Sequence, residues 1–371
     1  MANVNRRDDN QSVAQNGNMF DSFTKSNATS SKEKMKTCFD AFDTDRDGFL
    51  SRDEFNVLLE KLFCNKGKPY KIDENQKSTL FGFFDDDKDG KISREEFKIC
   101  WHHWLQQILD PVSALVIVDV QNDFVQGTLA IKDCPAGQDG AAVVPVINSI
   151  LDPPIFDVVI YSLDWHPSDH ISFIENVGIR PIHPSSQVKA EEAQIRDVVI
   201  FSGPPITEQK LWPAHCVQNS WGSELHKDLK VVDGSVRVHK GTNKDVDSYS
   251  AFWDNQKLSR TKLLQELQSR GVTDVYVCGL AYDICVGATA SHSVEHGFRT
   301  VIVEDACRGV ALEDIEGTRQ RLTRSGAIIV DSSEVNDLLL GRDRRPELGY
   351  QAAYNVMQAK RLVKDQQQKE A

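Results

Sequence analysis

The chain lacks the features that would place it on a membrane or on nucleic acid. Its 371 residues contain no uninterrupted apolar run of the roughly 18 residues that a spanning helix needs. Residues 1–18 have no apolar core, so no signal peptide is expected. Basic residues are in deficit: 43 Lys and Arg face 55 Asp and Glu, for a formal charge of −12. A nucleic-acid surface would show basic clustering; an acidic excess suits cation binding or plain solubility. No Cys-x-x-Cys pair occurs among the eight cysteines, Cys38, Cys64, Cys100, Cys134, Cys216, Cys278, Cys285 and Cys307. Dispersed cysteines in a chain this long read as reduced thiols of a cytoplasmic protein (a nuclear one reads the same), with one of them a candidate nucleophile.

At about 100–200 residues per domain, the length suits two domains. Residues 1–30 are rich in Asn, Ser, Gln and Asp without periodicity and read as a disordered tail. From 31 to 110 apolar residues recur at helical spacing, as in Phe55, Leu58, Leu59 and Leu62, or Phe97, Cys100, Trp101 and Trp104. Asp110-Pro111 then breaks the helix and marks a boundary. From 112 to 340 short β-branched runs (114–118, 158–163, 236–238, 275–279, 300–303, 327–330) alternate with amphipathic stretches such as 257–270, 286–296 and 311–324. That grammar predicts an α/β domain with a parallel sheet covered on both faces. Residues 170–235 lack periodicity and read as a functional excursion. A polar helical tail is expected over 341–371, with Tyr350, Tyr354 and Met357 on one side.

Two segments of the helical region fit a twelve-residue EF-hand calcium loop. Residues 43–54 offer Asp43, Asp45 and Asp47 at positions 1, 3 and 5, the Phe49 carbonyl at 7 and Glu54 at 12. Residues 85–96 offer Asp85, Asp87, Asp89, the Lys91 carbonyl and Glu96 in the same register. Ca²⁺ takes six to eight oxygens, and this spacing turns alternate carboxylates inward while the last Glu chelates. Gly48 and Gly90 permit the turn around the ion. Leu50 and Ile92, at position 8, are expected to pack together. An EF-hand pair binding Ca²⁺ at both loops is therefore expected over 31–110.

In the second domain, three chemistry-bearing residues fall at strand ends, where parallel-sheet enzymes keep their sites. Asp119 closes the run Leu115–Val118; it is either a cap or a used carboxylate. Lys240 ends a short strand; taken alone it reads as solvated. Cys285 opens a helix after the strand 275–279, a position whose free N–H groups and dipole favour a thiolate. Asp164 and His166 after another strand, with the distant His215, have the spacing of an open metal site. His170 and Cys216 are alternatives in the same region.

Together these residues resemble the nicotinamidase group of the isochorismatase-like cysteine hydrolases. The matching pieces are 118–124 (VDVQNDF), 164–167 (DWHP), 211–216 (LWPAHC), Lys240-Gly241 and 279–286 (GLAYDICV). The resemblance covers about 112–340 and implies a sheet of order 3-2-1-4-5-6. It implies Asp119, Lys240 and Cys285 as catalytic residues and Asp164, His166 and His215 as ligands of one transition metal ion, Zn²⁺ or else Fe²⁺ or Mn²⁺. It implies an oxyanion hole from the N–H groups of Ala281 and Cys285, beside a cis peptide between Leu280 and Ala281. Phe124, Trp212 and Tyr249 match its aromatic pocket walls. The implied activity is hydrolysis of nicotinamide through a thioester, with nicotinamide the small-molecule partner; possible calcium regulation and a homo-oligomer stay open. Another amidase acting on a carbamoyl or ureido substrate, and a calcium-binding protein with a non-catalytic hydrolase-like domain, are the rival readings.

Overall fold

Four places in the first 110 residues share one local signature. Ser30, Ser51, Asp73 and Ser93 precede Glu33, Glu54, Gln76 and Glu96 by three residues, which lets each pair satisfy orphan N–H groups at a helix start. In the computed structural model of the chain, all four pairs form such reciprocal caps. The structure describes Phe20, residues 30–153 and residues 155–370, with the side chains of the last helix described through Leu362.

The caps open α1 (Ser31–Phe42), α2 (Arg52–Leu62), α3 (Glu74–Phe84) and α4 (Arg94–Cys100). Between them lie β1 (Phe49–Ser51), the two-residue strands β2 (Cys64–Asn65) and β3 (Lys68–Pro69), and β4 (Lys91–Ser93). A π turn (Trp101–Leu105) carries α4 into α5 (Gln106–Leu109), which ends at Asp110. β1 and β4 pair antiparallel with Leu50 opposite Ile92, both fully buried. Apolar spacing gives these helices one shared core, in which Trp104 packs against Phe84 and Phe55 at ring-centroid distances of 5.0 and 6.2 Å. Phe20 is buried in it, stacked on Phe42. Otherwise the expected tail, 1–30, lies outside the described residues apart from Ser30.

The chain divides into two units, Met1–Pro111 with Leu340–Ala371, and Val112–Leu339. The second unit runs β5 (Ser113–Val118), α6 (Asn122–Val125), α7 (Val143–Ile150), β6 (Val158–Asp164), β7 (Val198–Phe201), β8 (Thr207–Lys210), β9 (Val236–Lys240), α8 (Leu263–Ser269), β10 (Asp274–Leu280), α9 (Gly287–Glu295), β11 (Arg299–Arg308), α10 (Leu312–Arg324), β12 (Ile328–Val330) and α11 (Ser332–Leu339). Six strands form one sheet in the order β12-β11-β10-β5-β6-β9, every neighbouring pair parallel. Numbered along the chain this is 3-2-1-4-5-6. β5, β6 and β10 are buried along their whole length, which is why they read as unbroken apolar runs rather than as alternation. Strand order reverses between β5 and β10, and a crevice opens at such a switch point.

One expectation needs correction, and two gain detail. The helix expected over 257–270 is confined to α8, because the Asp254 carboxylate accepts N–H bonds from Gln256, Leu258 and Ser259 and coils the preceding segment into a turn. The excursion 170–235 contains the β7–β8 hairpin, packed on its own small core of Ile171, Val199, Phe201 and Leu211. The C-terminal segment is α12 (Pro346–Glu370) and belongs to the first unit. Its buried residues are Leu348, Gly349, Gln351, Ala352 and Ala353, and Tyr350 packs against the same core, whereas Tyr354 is 45% exposed. No described helix is long and apolar enough to cross a membrane.

Candidate active site

The carboxyl ends of β5, β6, β9 and β10 bring the motif residues to one place. Asp119 follows β5 with φ +49°, a left-handed conformation that Asp tolerates better than most residues. Its N–H donates to Ser162 O, and the Ser162 hydroxyl donates to Oδ1 at 2.6 Å. Lys240, the last residue of β9, is fully buried and lies 2.9 Å from Asp119 Oδ2. Its Nζ also donates to Asp164 Oδ1 at 2.5 Å, to Ser248 O at 2.9 Å and to Cys285 Sγ at 3.3 Å. Cys285 sits in a π turn (Tyr282–Val286) that follows β10. One ammonium therefore joins two carboxylates and a sulfur, and the peptide between Leu280 and Ala281 beside them is cis.

Burial sets the protonation states. It raises the Asp119 carboxyl to about 6 against the pull of Lys240. Burial alone would lower Lys240, but Asp119 and Asp164 reverse this and hold it well above its ordinary value. The Cys285 thiol is pushed well above its usual range by burial, with Lys240 opposing and both carboxylates adding to the rise. Loss of solvent therefore works against the thiolate that the helix start and the lysine favour. Cys278, inside β10, is likewise buried and raised.

The carboxylate–imidazole cluster forms next to this triad. Asp164 Oδ2 is 3.6 Å from His166 Nε2 and 3.9 Å from His215 Nε2. Each ring turns its Nδ1 to a backbone carbonyl, His166 to Gly241 at 2.9 Å and His215 to Pro213 at 2.8 Å. A carbonyl only accepts, so Nδ1 carries a proton in both rings and Nε2 is the atom turned toward Asp164, the orientation that metal-ligating histidines use. Burial alone would lower His166, but Asp164 raises it above its ordinary value. Burial, helped by His166, lowers His215 to about 4, so it is neutral and able to ligate at pH 7. Three buried donors of this type fit a borderline transition ion with positions left open. Cys216 stays out of the cluster, its Sγ directed to Gly222 O.

Supporting residues that the sequence did not single out hold these parts in place. The Gln121 side chain accepts from Asp164 N and donates to Asp164 O, fixing the end of β6. Asp123 accepts from Cys216 N and Thr128 N, which ties down the loop bearing His215. Asp247 forms a second buried group with His166 and His170. Phe124, Trp212 and Tyr249 line one cavity with Asp164, His215, Asp247, Ala281 and Cys285, and Leu129, Ile131, Ile284 and Val310 complete its wall.

In the first unit, the two acidic loops are also assembled. Ligand atoms of Asp43, Asp45 and Glu54 lie within 4.8 Å of one another, as do those of Asp85, Asp87 and Glu96. Asp43 Oδ1 and Asp85 Oδ1 are buried without a hydrogen-bond partner, which is what a cation-binding oxygen in its own loop would show. Lys91 Nζ pairs with Asp47 at 2.6 Å and Arg94 approaches Asp43 at 3.5 Å, so protein cations already sit on loop 43–54.

The model of the isochorismatase domain family matches residues 175–334, and that of the EF-hand domain pair matches residues 32–100. A nicotinamidase from Escherichia coli is 35% identical over 220 residues, which is 58% of this chain and 92% of that protein. The chain belongs to the nicotinamidase family of isochorismatase-like hydrolases. A Schizosaccharomyces pombe nicotinamidase is 37% identical over 54% of this chain and 84% of its own length. Among solved structures, an Acinetobacter baumanii nicotinamidase and pyrazinamidase superposes with a TM-score of 0.52 at 35% identity, over 60% of this chain and 98% of its own. The yeast nicotinamidase bound to the inhibitor nicotinaldehyde gives a TM-score of 0.50 at 28% identity, over 59% and 99%. The chain is an amidohydrolase.

Gly241 has φ +63°, and a Cβ there would overlap the His166 ring. Gly241→Ala should displace that imidazole and lower bound transition metal at least tenfold, read by elemental analysis, while circular dichroism stays that of the parent chain.

Proposed function

We propose that the chain hydrolyses nicotinamide to nicotinate and ammonia, with Cys285 as nucleophile, Asp119 as general base and acid, and Lys240 as their electrostatic tether. The observation that carries this reading is the contact of Lys240 Nζ with Asp119, Asp164 and Cys285 at once. The cavity suits a flat aromatic amide: Phe124, Trp212 and Tyr249 offer ring contacts, and Cys285 lies in its lining.

The chemistry follows from the protonation states. Asp119, ionised above about pH 6, removes the Cys285 proton as the sulfur attacks the carboxamide carbon. Developing thiolate and later oxyanion charge are met by the Lys240 ammonium and by the N–H groups of Ala281 and Cys285. The proton now on Asp119 passes to the amide nitrogen, the C–N bond breaks, and ammonia leaves a thioester. Asp119, again ionised, takes a proton from water, which attacks the thioester carbon; nicotinate departs and the proton returns to the sulfur. Asp164, His166 and His215 would hold the transition ion, Zn²⁺ or alternatively Fe²⁺ or Mn²⁺, which when bound supplies a Lewis-acidic contact for a pyridine nitrogen. Of the domain limits, 31–110 for the EF-hand pair and 112–340 for the hydrolase are the reading we adopt, with Ca²⁺ at Asp43, Asp45, Asp47, Phe49 and Glu54 and at Asp85, Asp87, Asp89, Lys91 and Glu96.

Cys285→Ala should lower ammonia release from nicotinamide by at least about 10³-fold without unfolding the chain; substantial residual turnover would remove the nucleophile. The base must be a carboxylate to act, so kcat/KM should fall tenfold per unit as pH drops below about 6. A profile flat from pH 7 to 4.5 would remove Asp119 from that role.

A further inference from the structure

EF-hand pairs that act on other proteins leave a groove for a partner's amphipathic helix. In the first unit that apolar surface is already covered by α12. Ala352 and Ala353 are buried in the same cluster as Phe55, Phe84 and Trp104. The Trp104 indole donates to Gly349 O at 2.7 Å, and a Cβ on Gly349 would collide with the Phe63 ring. The approach to α12 is pinned as well. Arg344 donates through its Nε to Leu62 O and through its backbone N–H to Cys64 O, and the Asp343 carboxylate accepts from the Tyr70 hydroxyl at 2.7 Å. Leu62 ends α2, and Cys64 and Tyr70 belong to the connector between the two EF-hands.

The other end of the contact reaches a calcium loop. Tyr350 packs on Phe83 at 6.0 Å between ring centroids. Lys360 Nζ donates to Phe83 O at 3.3 Å and lies 3.8 Å from Asp86 Oδ1. Phe83 and Phe84 end α3, and the next residue, Asp85, is the first ligand of loop 85–96. Any change in the exit angle of α3 on cation binding is therefore transmitted to Tyr350 and Lys360. Loop 43–54 has no such contact in the described residues; its nearby cations are Lys91 and Arg94.

We propose that α12 is the built-in target helix of the EF-hand pair, and that its docking and Ca²⁺ binding at loop 85–96 stabilise each other. The inference rests on the calcium reading above. A tethered helix competes at an effective concentration of about millimolar, so the groove is reserved for the chain's own C-terminal segment. Coupling is reciprocal: if docking tightens Ca²⁺ binding by some factor, Ca²⁺ tightens docking by the same factor, typically about 5–150-fold.

The test uses the full chain. Trypsin cleavage after Lys360 and Arg361 is timed with Ca²⁺ and with chelator, and Ca²⁺ affinity is measured by calorimetry on the parent and on Gly349→Leu. Ca²⁺ should slow cleavage at least fivefold. Glu96→Gln should abolish that protection, and Glu54→Gln should leave most of it. Gly349→Leu should weaken one of two Ca²⁺ sites by a similar factor; if it fails to fold, Tyr350→Ala should do so to a smaller extent. Equal cleavage with and without Ca²⁺, or unchanged affinity in a variant whose helix is cleaved freely, overturns the coupling while leaving Ca²⁺ binding intact. Protection lost in Glu54→Gln and kept in Glu96→Gln overturns the assignment to loop 85–96. No Ca²⁺ heat in the parent chain overturns the calcium reading itself, and the coupling with it.

Discussion

The second unit depends on one buried cation. Lys240 has no solvent around it, yet it stays charged because Asp119 and Asp164 flank it at 2.9 and 2.5 Å. Two carboxylates on neighbouring strands could not share that interior without it, since burying an unpaired charge is costly. The same ammonium reaches the sulfur of Cys285. The lysine thus links Asp119, Asp164 and Cys285, and the sheet supplies the placement: β6 lies between β5 and β9, and β10 lies on the far side of β5.

That arrangement explains a division of labour between two acids of one residue type. Asp164 faces Lys240, His166 and His215, and these hold it well below the usual carboxylate range despite burial. Asp119 has one cation and a hydroxyl, and burial lifts it. One carboxylate is held ionised and the other is lifted toward neutral pH, the separation that the acid–base role proposed for Asp119 requires.

The strand runs 114–118, 158–163 and 275–279 were legible because a strand buried on both faces is apolar throughout, and the EF-hand loops because calcium geometry fixes five positions in twelve. Asp119, Asp164, His166, His215, Lys240 and Cys285 stood out because each lies at a strand end or in a motif. What was not legible depends on contacts between distant segments. Nothing near Ser162 announces that its hydroxyl will meet Asp119, and Asp247 looks like one more loop acid until it lies beside His166. Local sequence reveals the helix start at Cys285 but not the loss of solvent around its sulfur. The packed face of α12 was not legible, because Gly349, Ala352 and Ala353 carry no apolar signal of their own, although only small side chains let the helix lie against Phe63 and Trp104.

The most direct test is the stability of Lys240→Met against the parent chain, both metal-free, by denaturant titration near pH 7. Methionine keeps much of the volume and removes the charge, leaving Asp119 and Asp164 buried without their shared partner. The account predicts a loss of about 3–5 kcal/mol, the usual cost of breaking a buried ion pair from one side. A variant within about 0.5 kcal/mol of the parent would contradict it.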